Sequence, residues 1–188
     1  MRIIAGKFRS RRIHTVETRD VRPTTDRVRQ AVFDTLAARL EFDDIVVLDL
    51  FAGSGLLGFE SLSRGAARLT FVEQNSQVIS MLNNSINTLD VAAQARVLRQ
   101  DALQFLQTCS DVFDLIFADP PYRFSDYNVL LDAIFSRGLL AENGYFVLEH
   151  HASIDFSAHR AFSLRKEFGS SAVSFFQTNL EQQNDNET

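Results

Sequence analysis

The sequence predicts an α/β fold with a mostly parallel sheet and helices on both of its faces. Three observations carry that prediction. From Ile45 to Leu148, apolar runs of strand length alternate with amphipathic stretches of helical period. A glycine-rich turn, Gly53-Ser54-Gly55-Leu56-Leu57-Gly58, follows the first such run and opens a helix. Asp49, Glu73, Asp101 and Asp119 all fall where a predicted strand ends. Open sheets of this kind hold ligands outside the carboxyl ends of their strands, so these positions mark the expected site.

The elements follow in order. Residues 1–14 alternate loosely, with Ile3, Ile4, Phe8 and Ile13 among basic residues and Gly6-Lys7 as a turn. They read as a small hairpin or an extended arm. Arg22-Pro23-Thr24-Thr25-Asp26 is a helix start, with Thr24, Thr25 or Asp26 as the cap. Val28, Val32, Leu36 and Leu40 recur every four residues and carry that helix to about Leu40. Ile45 to Leu50 is a β-branched, buried strand. The helix after the glycine turn runs to about Ser63 and stops at Arg64-Gly65. Leu69 to Glu73 is the next strand, and Val78, Ile79, Leu82 and Ile86 mark another helix. Arg96 to Leu98 is a brief strand, after which Asp101-Ala102 opens a helix with Leu103 and Leu106 inward. Phe113 to Ala118 is a buried strand. Leu130, Leu131, Ile134 and Phe135 form a helix closed by Arg137-Gly138. Asn143-Gly144 is a turn into the strand Tyr145 to Glu149. Phe162 to Phe168 and Ala172 to Gln177 form a hairpin turning at Gly169-Ser170. Residues 181–188 have nothing to bury and read as a frayed tail.

A chain of 188 residues suits one folded unit. No apolar run approaches the ~18 residues of a membrane span. The basic N-terminus lacks the apolar stretch of a signal peptide. A single cysteine, Cys109, forms no internal disulfide, suits a reducing cytosol and has packing as its expected role. A cytoplasmic protein is expected. The net charge of −5 is unevenly spread. Residues 1–29 hold nine basic and three acidic side chains, a net of +6 that leaves −11 for the rest. A charge run is usually just a solvated face. Here its one-sidedness favours a polyanion-binding arm on an acidic body. The candidate contacts are Arg2, Lys7, Arg9, Arg11, Arg12 and Arg22.

The glycine turn satisfies G-x-G-x-x-G, and Glu73 lies about twenty residues on, where an acid accepts ribose hydroxyls. Taken alone, this is the fingerprint of an NAD-linked oxidoreductase, or only a structural turn. Two features point away from NAD. Asp49 is an unhelpful charge beside a pyrophosphate but a good partner for an ammonium. Asp119-Pro120-Pro121-Tyr122 has no obvious task in hydride transfer. Its prolines stiffen the backbone and remove N–H donors. Carboxylate and carbonyl acceptors remain, beside one flat ring: a receptor for a planar group carrying an NH2. A proline turn with an incidental tyrosine is the bland alternative. S-adenosylmethionine, with adenosine at one end and an amino acid at the other, fits the set better than NAD. Asp101 and Ala102 then meet its adenine, although Asp101 can also cap its helix. A metal role for His150-His151 is weak, and no metal is expected.

At these residues the chain resembles the RsmD-type family of bacterial guanine-N2 methyltransferases acting on small-subunit ribosomal RNA. The resemblance is carried by Arg2 to Arg11, by Arg22-Pro23-Thr24-Thr25-Asp26-Arg27-Val28-Arg29, and by Asp49-Leu50-Phe51-Ala52-Gly53-Ser54-Gly55. It continues through Glu60-Ser61-Leu62-Ser63-Arg64-Gly65-Ala66, Glu73 and Asp119 to Tyr122, and extends to about Gln177. The glycine loop is shared by many methyltransferases. The proline tetrad narrows the field to amine methylation, and its combination with Arg-Pro-Thr-Thr-Asp-Arg-Val-Arg is close to diagnostic of the family.

The resemblance implies a Rossmann-like class I methyltransferase fold of seven strands, the last one antiparallel. It implies S-adenosylmethionine as donor, held by Asp49, Phe51, Gly53, Ser54, Gly55, Glu73, Asp101 and Ala102, with Thr24 and Thr25 near the methionine end. Asp119, Pro120, Pro121 and Tyr122 then hold the target guanine. The implied partner is 16S ribosomal RNA, within a small subunit or an assembly intermediate, and the enzyme is expected to be a monomer. Residues 1–21 are then an RNA-binding arm and residues 22–180 the methyltransferase domain. Residues 152–160 match the family little. An adenine-N6 methyltransferase on DNA or RNA can use the same tetrad. A protein-glutamine methyltransferase is opposed by the basic arm. A ribosome-assembly protein that keeps the pocket without turnover is the non-enzymatic rival.

Overall fold

A computed structural model describes residues 1–14 and 26–178. Arg22, Thr24, Thr25 and the tail 181–188 lie outside the described residues. The elements run α1 (Asp26–Ala37), β1 (Val46–Leu50), α2 (Leu56–Arg64), β2 (Arg68–Glu73), α3 (Ser76–Leu89) and β3 (Ala95–Arg99). They continue with α4 (Ala102–Thr108), β4 (Phe113–Ala118), α5 (Tyr127–Ser136), β5 (Leu140–His151), β6 (Phe162–Phe168) and β7 (Ser171–Gln177).

The strands form one sheet in the order β3-β2-β1-β4-β5-β7-β6. The strands from β3 to β5 pair in parallel, and β7 pairs antiparallel with both β5 and β6. Seven strands with an antiparallel last strand are what the resemblance implied. In β1, Val47 and Leu48 point to opposite faces, as a two-residue period requires. Val47 joins Phe33, Leu36, Phe59, Phe71 and Leu82 under α1, α2 and α3. Leu48 joins Leu106, Leu130, Ile134 and Phe146 under α4 and α5. Neighbouring Phe175 and Phe176 in β7 divide in the same way. Fully burying such a side chain contributes about 1.5–3 kcal/mol.

Two elements differ from expectation. Helix α1 ends at Ala37, although the Leu40 N–H still donates to the Leu36 carbonyl at 2.8 Å. Strand β5 begins at Leu140 rather than Tyr145, so Asn143-Gly144 lies inside it. Asn143 adopts φ 60°, and the register with β4 shifts between Phe113↔Leu140 and Leu115↔Tyr145. The Asn-Gly pair makes a bulge within a strand, which a local turn reading cannot tell from a strand start.

Residues 1–14 fold into a docked hairpin. Arg2 and Arg12 bridge antiparallel, and the Ile3 N–H donates to the Arg11 carbonyl at 3.0 Å. Ile3 and Ile13 are buried in the core. The Ile4 and Ala5 N–H groups donate to the two carboxylate oxygens of Glu60 at 2.8 and 3.0 Å. Glu60 is fully buried in α2 and also accepts from Arg64 at 3.0 Å. The Phe8 N–H donates to Ser63 Oγ and the His14 N–H to Ser85 Oγ, tying the hairpin to α2 and α3.

Candidate active site

The carboxyl ends of β1, β2, β4 and β5 open into a cavity of about 900 Å³. The loop after β1 sets one wall. Phe51, Gly53 and Gly55 take positive φ of 54°, 51° and 72°, so the chain doubles back before α2. A Cβ on Gly53 would find only the Phe51 carbonyl, at 3.8 Å. Gly53 therefore presents bare backbone to the cavity. Gly55 does not line it: a Cβ there would strike Leu82, Phe59 and Phe71 at 2.6 to 2.9 Å. Its side serves close packing of α2 on β2, and its N–H donates to the Ala52 carbonyl at 2.7 Å.

The acids named from the sequence meet here. Asp49 is 3% exposed, and its Oδ2 accepts the Gly58 N–H at 3.1 Å, in the first turn of α2. Burial pushes its carboxyl well above the usual range, and the charges of Asp119 and Glu73 add to the rise. Glu73 Oε2 accepts the Gly53 N–H at 3.1 Å, and Oε1 accepts from Gln74 and Asn75 at 2.9 and 2.8 Å. Asp101 caps α4, its Oδ1 accepting from Leu103 and Gln104 at 3.0 and 3.1 Å. Phe51, Ser54, Ala102, Asp119, Pro120, Pro121 and Tyr122 complete the expected lining. Tyr122 is 86% exposed at the mouth.

Sequence reasoning missed part of the wall. Tyr127 is buried beside Phe124, ring centroids 5.0 Å apart, and burial with the nearby Asp119 charge raises its hydroxyl pKa. Glu149 and the β6–β7 turn from Glu167 to Ser171 close the far side, brought there by pairings that have no local sequence signature. Arg27, which the sequence reading gave no place in the site, lines the cavity too. His150 is buried, which lowers its pKa. Its Nδ1 donates to the His151 carbonyl at 2.9 Å, and its Nε2 lies 2.8 Å from Ser174 Oγ. Both nitrogens are thus engaged within the fold.

The predicted basic contacts lie elsewhere. Arg2, Lys7, Arg9, Arg11 and Arg12 sit on the hairpin at the surface, and none lines the cavity. Arg11 donates to the Thr88 carbonyl at 2.7 Å, and Lys7 reaches Gln94 at 3.3 Å.

The donor set fits S-adenosylmethionine. Asp49, Glu73, Asp101 and Asp119 give the cavity an acidic lining, suited to a ligand bearing an ammonium and a sulfonium. Glu73 stands at a strand end beside the bare Gly53 backbone, where a ribose can approach.

Known proteins resemble this chain over most of its length. The family described as "Conserved hypothetical protein 95" matches residues 1–177. The ribosomal RNA small subunit methyltransferase D of Haemophilus influenzae is 33% identical over 178 residues, covering 93% of this chain and 91% of that protein. The Escherichia coli protein of the same name is 37% identical over 149 residues, covering 79% and 74%. A solved structure of a hypothetical protein from Thermus thermophilus superposes with a TM-score of 0.82 at 27% identity, covering 95% and 99% of the two chains. With its seven-stranded class I methyltransferase sheet, the chain belongs to this family, the RsmD family.

Proposed function

We propose that this chain uses S-adenosylmethionine to methylate the exocyclic N2 amine of a guanine in small-subunit ribosomal RNA. One observation carries the proposal: the acidic donor wall and the Asp119-Pro120-Pro121-Tyr122 turn line a single cavity. Relatives named for small-subunit ribosomal RNA methylation support the RNA as substrate. The docked basic hairpin supports RNA contact outside the cavity.

The bound donor supplies an electrophilic methyl on a sulfonium. Asp49 faces its ammonium, Glu73 its ribose and Asp101 with Ala102 its adenine. A guanine amine is a poor nucleophile because its lone pair is delocalised into the ring. The Asp119 carboxylate and the Pro120 carbonyl accept its two N–H bonds. This favours a pyramidal nitrogen whose lone pair faces the cavity. As the nitrogen–carbon bond forms and the methyl–sulfur bond breaks, Asp119 would stabilise the positive charge developing on that nitrogen and then take the proton that the methylated amine loses. Tyr122 stacks on the base, worth ~1–3 kcal/mol. A paired guanine must first leave its helix. Positioning supplies up to ~7–11 kcal/mol of barrier reduction, against ~1.5–3 kcal/mol for one charged hydrogen bond. Geometry therefore dominates, and no strong base is required.

The test is transfer of labelled methyl to small subunits from a strain lacking this protein, followed by nucleoside analysis. N2-methylguanosine is expected. N6-methyladenosine would replace the reading with an adenine methyltransferase, and no transfer would favour a binding protein.

A further inference from the structure

We propose that His151 is a positioning residue for Tyr122, holding the exposed ring in the orientation in which a base stacks on it. This rests on the stacking role given to Tyr122 above. A ring that is 86% exposed is not fixed by packing. Among the described residues its aromatic neighbour is His151, edge-to-face, with centroids 6.0 Å apart and planes at 83°. Aromatic pairs favour that arrangement.

His151 is itself held on several sides. Its main chain pairs with Ser171 in β7. Its carbonyl accepts from His150 Nδ1 at 2.9 Å, and His150 is anchored to Ser174 in turn. Its own Nδ1 accepts the Ser153 N–H at 3.2 Å and lies 2.7 Å from Ser153 Oγ. An accepting Nδ1 places the ring proton on Nε2. A rigid strand end thus fixes an imidazole, and the imidazole fixes a ring that would otherwise turn freely. Ordering done before the base arrives need not be done on binding.

The chain has no tryptophan and three tyrosines, of which Tyr127 and Tyr145 are buried. Tyrosine emission from the free enzyme, minus that of Tyr122→Phe, therefore isolates Tyr122. His151→Ala should lower the steady-state anisotropy of that component. It should also raise KM for unmethylated small subunits about two- to tenfold, as befits one aromatic pair. Turnover number and affinity for S-adenosylhomocysteine should stay near wild type. His151→Phe, which refills the space, should restore both the anisotropy and KM. Unchanged anisotropy and KM in His151→Ala would overturn the proposal. So would rescue by His151→Gln but not by His151→Phe, since the imidazole N–H would then touch substrate directly. A wild type that transfers no methyl would strike the functional reading, and the anisotropy comparison would still decide the link between the two rings.

Discussion

Asp49 Oδ2 accepts the Gly58 N–H at 3.1 Å while only 3% of the residue meets solvent. Burial, aided by Asp119 and Glu73, holds its folded pKa well above the unfolded value, against the lowering effect of Gly58. The stability this group contributes is therefore full below the unfolded pKa and is lost as pH rises through the folded one. Asp49→Asn keeps an acceptor for Gly58 and carries no charge. Its thermal midpoint should exceed the wild type's above that window by about 2–4 °C per kcal/mol regained, and the difference should vanish in acid. A cationic ligand favours the carboxylate. S-adenosylhomocysteine, through its ammonium, should thus bind more tightly as pH rises through the window and release a proton, read by calorimetry in two buffers. Asp49→Asn should lose the proton release.

Asp119→Ala should lower turnover about a hundredfold or more, the size expected for removing one group that meets developing charge. Affinity for S-adenosylhomocysteine should change less than about threefold, because the role proposed for Asp119 is to hold the acceptor amine. Equal losses in both, measured by single-turnover kinetics and calorimetry, would move Asp119 from the chemistry to donor binding.

Tyr122 contributes a face rather than a hydroxyl to the proposed acceptor pocket. Tyr122→Ala should raise KM for small subunits about 5- to 150-fold, the equivalent of ~1–3 kcal/mol of stacking. Tyr122→Phe should stay within about threefold. A matched loss in both variants would transfer the role to the hydroxyl.

The acids at the strand ends were legible because each follows a short apolar run and precedes a helix. The alternation of strand and helix alone placed Asp49, Glu73, Asp101 and Asp119 at the carboxyl ends of the strands. Gly53 and Gly55 look alike in sequence, and only three-dimensional packing separates them: one faces the cavity, the other Phe59, Phe71 and Leu82. The β6–β7 turn enters the site through antiparallel pairing with β5, a long-range contact without local pattern. Arg29 was counted with the basic run, yet it is fully buried, donating to Asp26 and the Arg2 carbonyl at 3.0 and 2.8 Å. A charge run does not reveal which of its members point inward.

Arg9 and Arg12 are exposed on the hairpin, whereas Arg11 also holds Thr88. Reversing Arg9 and Arg12 to Glu therefore tests RNA binding while that hydrogen bond stays in place. RNA affinity should fall. The slope of log affinity against log salt should flatten by about 1.4 to 1.8, because two phosphates no longer meet a cation. Affinity for S-adenosylhomocysteine should not move. A slope unchanged in filter binding would take the hairpin out of RNA recognition.

Gly6 decides whether the hairpin stays seated. It sits at φ +78°, and an added Cβ would lie 1.8 Å from the Ser63 carbonyl oxygen, part of the α2 backbone. The next two residues depend on the same contact, the Lys7 N–H donating to that oxygen at 2.7 Å and the Phe8 N–H to Ser63 Oγ at 2.9 Å. Gly6→Ala must therefore lift the turn. That exposes Ile3 and Ile13 and strips the buried Glu60 carboxylate of two N–H donors. A cost of about 2–3 kcal/mol is expected, with fast hydrogen exchange at the Ile4 and Ala5 amides. Gly138→Ala supplies the comparison. Gly138 also has positive φ, at 64°, but an added Cβ there meets nothing within 4 Å. It should cost only the ~1–2 kcal/mol of left-handed strain and leave those amides protected. If the two variants proved equally destabilised, with Ile4 and Ala5 slow to exchange in both, backbone conformation alone would account for Gly6 and the contact with Ser63 would not.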